Sequence, residues 1–585
     1  MPSKLESTAI RASLLAALIW SLPSFADCDC GSSDAAAPCT GNAITVAATG
    51  KRIITFSWRF SSGGGPAACG RFANGDYWLA PTEAGAGVTI ESVSDTGSGP
   101  LSLDADPQTE AMGLLSPGKT YGNYVAGENL LPVLPAKISS PSSLVAAAQL
   151  DEAASGMCGT SSIVGNCADA YNVVTVLDRV PEGAGADLLR PSINDSSKKL
   201  LSLSDFDLSR LPSRSYLTGT TDAGFEAIRQ RWSHSTEIFG MWTFGGKFFS
   251  EGGRAFRASN FVDDYAGGVA ASWGNDLMQI FSASTPVSSP AKRAALAAML
   301  VYAKDVYDSV YGPSDRTRNW GSGAGQWLGR YPAAVFFAAL ATDPRYGSTI
   351  SSVSKELLGF ADGRGPHELD QINVGANGPI WGDFPDTLSS LEIGAYWAEM
   401  LKAQCFFGAT GTCLTSSGKR TSRDPYGFID GPPLRSGAGY MYVSSGPQRT
   451  LAALMFLMPN ACSIVNYEPL VEYIDRLQNT GIKTMPDPCA PPDPREDPLT
   501  CDPYRNTGCV YYRSTWGPDP ANPSQCIRGS TGRFPAQDGT KPKFLYTSTQ
   551  VESQWANIRG TTPSCTRAVI SKPGFAPQAP ELRVN

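Results

Sequence analysis

Histidine is almost absent from this chain of 585 residues, where His234 and His367 are the only two. Any imidazole-dependent mechanism must use one of them, and a structural zinc site is disfavoured. Charge is also scarce. Charged residues make up 17% of the chain, against roughly 25% in ordinary soluble proteins, so a disordered polyelectrolyte is excluded. Lys and Arg number 47 against 54 Asp and Glu, with no long basic run, which argues against a general nucleic-acid binder. The chain has no paired CxxC motif, no glycine-rich loop followed by Lys-Ser/Thr and no helical HExxH. No G-x-S-x-G elbow stands between a strand and a helix, which disfavours a serine hydrolase. A fixed-period repeat is missing, so a solenoid is not supported. Beyond the N-terminus no apolar run is long enough to span a membrane.

Glycine, proline and cysteine are plentiful, at 60, 44 and 14. Residues 1–26 read as a secretory leader: Lys4 and Arg11 precede an apolar stretch from Leu14 to Leu22, and Ser24-Phe25-Ala26 offers small residues for cleavage. All 14 cysteines follow that point, an even count that suits disulfides in a secreted or periplasmic protein. Cys158/Cys167 and Cys405/Cys413 are close enough in sequence to staple local loops. Cys489, Cys501, Cys509, Cys526 and Cys565 suggest a cross-linked C-terminal segment.

The periodicity changes along the chain and predicts a multidomain α+β protein. From 27 to 205 it is mostly β, with strands expected at 53–60, 87–93 and 171–177, bounded by Gly, Pro, Asn and Asp. A β-sandwich fits this pattern. From 206 to 484 it is helical. The clearest helix is 290–311, with Ser289 as N-cap, Pro290 in the first turn, and a stripe of Leu296, Leu300, Ala303, Tyr307 and Val310. Within it, Lys304 and Ser309 interleave with the apolar positions. Further helices are expected at 222–239, 261–282, 331–342, 387–404, 449–458 and 468–479, with no alternating strands. Residues 485–585 read as a Pro- and Cys-rich irregular segment with a last helix near 549–559.

Three stretches carry a resemblance. Asn74-Gly75-Asp76-Tyr77-Trp78 resembles a segment of uncharacterised secreted bacterial proteins that begin with a β-domain. Asn260-Phe261-Val262-Asp263-Asp264-Tyr265 and Gly325-Gln326-Trp327-Leu328-Gly329-Arg330-Tyr331-Pro332 resemble segments of the helical region in the same kind of protein. The sequence departs from that pattern at Gln326, where a His is expected, and at Ala266, where a Gly is expected. The layout is also similar to (α/α)-toroid polysaccharide lyases, which implies an (α/α)-toroid-like domain over 206–484.

The residues available for chemistry agree with a carbohydrate ligand. For β-elimination from a uronate, His234 can take the C5 proton, Asn260 can hydrogen-bond the substrate carboxyl group and Tyr265 can protonate the leaving oxygen. Arg330 can form a bidentate contact with a carboxylate. Trp320, Gln326, Trp327 and Tyr331 line a glycine-rich loop suited to a sugar subsite, and His367, Trp381 and Asp383 sit in two further loops. The structural alternatives stand beside this: a helix-terminal His234, first-turn acids at Asp263 and Asp264, and a glycine-rich packing turn. A glycoside hydrolase would instead use two carboxylates such as Asp264 and Asp383. A non-catalytic glycan-binding or surface-structural protein would use the aromatic loops alone. No cofactor is expected; the one cation reading places His367, Glu368 and Asp370 around a divalent ion. The expected partner is a polysaccharide or oligosaccharide, with no nucleic acid and no membrane span.

Overall fold

The computed structural model describes residues 39–41, 43–49, 53–63, 67–95, 101–106, 129–149, 167–193, 195, 197–233, 235–244, 247–258, 266–311, 328–356, 369, 372–375, 378–381, 438–467, 469–474, 498–502, 507–512, 516–518, 526–528 and 546–560. It is a mixed α+β structure with its N-terminal region built from sheets. No helix among the described residues is long and apolar enough to cross a membrane.

The first ten strands are β1 (Cys39–Gly41), β2 (Ala43–Thr49), β3 (Ile53–Ser62), β4 (Ala67–Arg71), β5 (Tyr77–Ala80), β6 (Val88–Ser94), β7 (Leu101–Ala105), β8 (Ala136–Ile138), β9 (Ser142–Gln149) and β10 (Cys167–Val176). The expected strands at 53–60, 87–93 and 171–177 fall on β3, β6 and β10. Strands β2, β3, β6 and β8 form a four-stranded antiparallel sheet, and β1, β4, β5, β7, β9 and β10 belong to a larger one. The two sheets share one apolar core. Ile44, Trp58, Phe60, Val88 and Ile90 come from one, and Tyr77, Leu79, Leu103, Leu144 and Val174 from the other. Alternation assigns these residues to the inner faces. The other face of the larger sheet is mixed: Ala68, Trp78 and Ala80 pack there with Phe72 and Leu177, beside buried polar groups. Asp104 pairs with Val145 and Thr175 with Ser143, and Asp104, Ser143 and Thr175 are all buried.

Helix α1 (Asp222–Ser233) opens the helical region. It stops six residues short of the expected 222–239. The remainder belongs to β13 (Ser235–Phe244), which follows the two-residue strands β11 (Leu188–Leu189) and β12 (Leu201–Ser202). β13 pairs with β14 (Lys247–Ala258), and β14 runs parallel to β10. Thr236, Ile238, Phe239, Trp242 and Thr243 are β-forming types, and their partner strand β14 begins only three residues after β13 ends, with Gly245-Gly246 between them as a hairpin signal. The larger sheet therefore takes two strands from beyond residue 205.

Helices α2 (Ala266–Phe281), α3 (Pro290–Tyr311), α4 (Tyr331–Leu340) and α5 (Pro344–Glu356) follow. The expected ends of 290–311 coincide with α3, and the first helical bond runs from Arg293 N–H to the Ser289 carbonyl. The hairpin β15 (Ile372–Gly375) and β16 (Gly378–Trp381) adds strands that the periodicity does not predict. Helix α6 (Ala438–Leu457) begins eleven residues before the expected 449 and continues through Pro447. Helix α7 is Pro459–Val465. The C-terminal region is more regular than expected, with hairpins β17 (Pro498–Asp502)–β18 (Thr507–Tyr512) and β19 (Trp516–Pro518)–β20 (Cys526–Arg528). Helices α8 (Thr549–Ser553) and α9 (Trp555–Gly560) cover the expected last helix. The expected helix at 387–404 lies outside the described residues.

One large apolar core unites the helices, from Phe225 and Trp232 through Trp273, Tyr302 and Phe336 to Phe456 and Trp555. Helix α3 lies at its centre, and Lys304 and Ser309, which interleave with its apolar stripe, are both buried. No cysteine among the described residues is a free thiol, and Cys69 and Cys462 are held in disulfides.

Candidate functional site

The densest assembly of ionisable groups among the described residues lies where the larger sheet meets α1 and α3. It starts from the segment Asn74-Gly75-Asp76-Tyr77-Trp78. The Asn74 amide donates to Asp76 Oδ2 at 2.7 Å, and Arg190 Nε donates to the same oxygen at 2.8 Å. Arg190 is 1% exposed and reaches Asp305 of α3 through Nη2 at 2.5 Å. The Ile193 N–H also donates to Asp305, at 3.1 Å. The Asn74 carbonyl accepts from Arg229 Nη1 and Ser233 Oγ of α1, at 3.0 and 2.8 Å. Gly75 has φ +96, and a Cβ there would collide with the Arg229 guanidinium. Trp78 is buried and donates its indole N–H to the Ala184 carbonyl at 3.0 Å. The segment works as a joint between sheet and helices.

A second chain of charges runs beside it. Lys198 Nζ contacts Asp106 Oδ1 at 2.7 Å and donates to the carbonyls of Ser192 and Ile193. Lys304 pairs with Asp308 and lies 3.7 Å from Asp195. Burial pushes the Asp76 carboxyl up, against the pull of Arg190 and Asn74. Burial also raises Asp308, with Asp195 and Asp305 adding to the rise and Lys304 opposing it. For Lys304, burial is outweighed by Asp308 and Asp195, so the ammonium is held on. Lys198 is pushed down by burial, with Asp106 opposing. Burial works against the Asp195 carboxylate, but Ser197 and Lys304 outweigh it and hold the group low. Carboxylates crowd this joint, which favours retention of a proton among them.

Arg330 caps α4 and, like Tyr331, is 0% exposed. The guanidinium expected to face a ligand is enclosed in the helical core, because α4 is buried along its whole length. Arg231, three residues before His234, is paired with Asp276, which also accepts from the Trp232 indole at 2.8 Å. Burial raises the Asp276 carboxyl, with Arg231 opposing. Trp381 ends β16. His234, Asn260, Tyr265, Trp320, Gln326, Trp327, His367 and Asp383 lie outside the described residues, as do Asp263, Asp264, Glu368 and Asp370. The described flanks of two of them, His234 and Asn260, meet. Ser235 pairs with Arg257, so the chain before β13 and the chain after β14 leave from one end of one hairpin. Among the described residues no group of three His, Cys, Asp or Glu side chains could hold a metal ion.

The groups of the joint escape a sequence reading because Asp76, Arg190, Lys198 and Asp305 are far apart in the chain. The one signal was the Asn74–Trp78 segment, noted for resemblance and not for its charge. Comparison with family models, curated proteins and solved structures finds no match to this chain.

Proposed function

We propose that the protein is a secreted carbohydrate-active enzyme, a polysaccharide lyase that cleaves a uronate-containing glycan by β-elimination on a toroid-like helical scaffold. The observation that carries this reading is the register of β13 on β14. With Ser235 opposite Arg257, the chain on one side leads directly into His234, and on the other into Asn260 and Tyr265. In this mechanism His234 removes the C5 proton, Asn260 hydrogen-bonds the uronate carboxyl group as charge develops on it, and Tyr265 protonates the departing oxygen. Arg330, being enclosed, enters as a positioning residue for the loop before α4. Trp320, Gln326, Trp327, His367, Trp381 and Asp383 remain the proposed subsite residues, while Tyr331, enclosed like Arg330, acts with it in positioning the loop before α4. The leader-like residues 1–26 and the disulfides at Cys69 and Cys462 support an oxidising, secreted or periplasmic location.

Incubation with a panel of uronate-containing and neutral polysaccharides tests the proposal. A lyase generates a conjugated double bond that absorbs in the ultraviolet together with new chain ends. Reducing ends without that absorbance would identify a hydrolase, with Asp264 and Asp383 as the next residues to substitute. Glycan binding with neither product would identify a binding protein. For a lyase, His234→Ala should lower kcat by about 100-fold or more without changing the thermal midpoint. Retained turnover removes His234 from the mechanism.

A further inference from the structure

Lys198 and Asp106 meet in a geometry that a simple surface ion pair does not need. Lys198 Nζ stands 2.7 Å from Asp106 Oδ1. The lysine side chain is 1% exposed and the aspartate 29%. Both residues have left-handed backbone, with φ +47 at Lys198 and φ +46 at Asp106. That region is uncommon for residues other than glycine and is held only where the surroundings enforce it. Here two such residues are partners of each other across 92 positions of chain.

The surroundings are equally specific. Asp106 Oδ1 also accepts the Ser143 backbone N–H at 2.7 Å, a donor placed to stabilise negative charge developing on that oxygen. The Ser192 and Ile193 carbonyls fix the lysine nitrogen from the other side at 3.1 and 2.9 Å. Asp195 lies within electrostatic reach of the ammonium, and its Oδ1 is held by the Ser197 hydroxyl at 2.7 Å. Burial favours the uncharged amine at Lys198, the form that is nucleophilic.

We propose that Lys198 and Asp106 are the partners of an intramolecular isopeptide bond that welds the end of β7 to the segment between β11 and β12. The Lys198 ammonium passes a proton to the Asp106 carboxylate it contacts at 2.7 Å, and the freed amine attacks Cγ of the resulting acid. The Ser143 N–H stabilises the oxyanion of the tetrahedral intermediate. Of the three ammonium hydrogens, one stays on the amide nitrogen and two leave with a carboxylate oxygen as water. The partly exposed side of Asp106 gives that water an exit. The reaction consumes no oxidant or co-reactant, and it is independent of the glycan reading above.

Mass spectrometry of the purified full-length secreted protein, reduced and digested, tests this. A branched peptide joining Asp106 to Lys198, about 18 Da below the sum of its two linear parts, is the expected result. It should disappear in Lys198→Arg and in Asp106→Ala. If either variant fails to accumulate, the wild-type digest decides the matter alone. Linear, unmodified peptides carrying Asp106 and Lys198 in full yield would overturn the proposal. So would a water loss confined to the Asp106 peptide, which is cyclisation onto its own backbone.

Discussion

Gly75 shows how much one residue can fix. Its φ of +96 suits glycine alone, and the space where a Cβ would sit is taken by Arg229 of α1. Gly75→Ala should therefore cost more than about 1 kcal/mol in chemical denaturation, because strain is added to displacement of a buried guanidinium. Beside it, Asp76 links stability to pH. Its folded-state pKa is raised by burial, with Arg190 and Asn74 opposing. Its stabilising contribution is complete below the ordinary carboxylate range and is lost as pH rises through the raised value. The unfolding free energy should fall as pH rises from the ordinary carboxylate range through the raised value, and Asp76→Asn should flatten that fall. An unchanged pH profile in the variant would show that Asp76 does not titrate in this window.

Helix α3 carries the heaviest load among the elements. It presents apolar residues to α1 and α4 and, on another side, holds Asp305 against Arg190 and Lys304 beside Asp308. Removing one member of a buried ion pair leaves the other charged and unmatched. Asp305→Ala should accordingly destabilise the protein by about 3–5 kcal/mol, measured by denaturant titration. A smaller loss is expected for Asp305→Asn, which keeps an acceptor for the Ile193 N–H. Helix α3 was also the most legible element, because Ser289, Pro290 and a 22-residue apolar period mark it locally. Strand β13 is legible only through Gly245-Gly246, a local hairpin signal, whereas nothing near it in sequence announces that β14 joins β10.

The whole molecule does not divide at residue 205. β14 pairs with β10, Arg190 joins Asp76 to Asp305, and Arg229 and Ser233 bind the Asn74 carbonyl. A fragment of residues 27–205 would lack Asp305, Arg229 and both strands of the β13–β14 hairpin. It should show a lower thermal midpoint than the same region within the full chain. In the full chain, near-ultraviolet and far-ultraviolet circular dichroism should report one coincident transition. Two separated transitions would mean that the joint is weaker than its buried bonds imply.

The sequence by itself determined the local features: the change from β to helical patterning, strands β3, β6 and β10, the ends of α3, and the poverty of histidine and charge that narrows the chemistry. These depend on spacing and composition, which any short window contains. It took the folded arrangement to show that β14 joins β10, that Lys304 is interior, that Arg330 is enclosed, and that Asp106 meets Lys198. Each of those outcomes depends on groups tens to hundreds of residues apart, and burial acquires its electrostatic consequences only once the chain has brought them together.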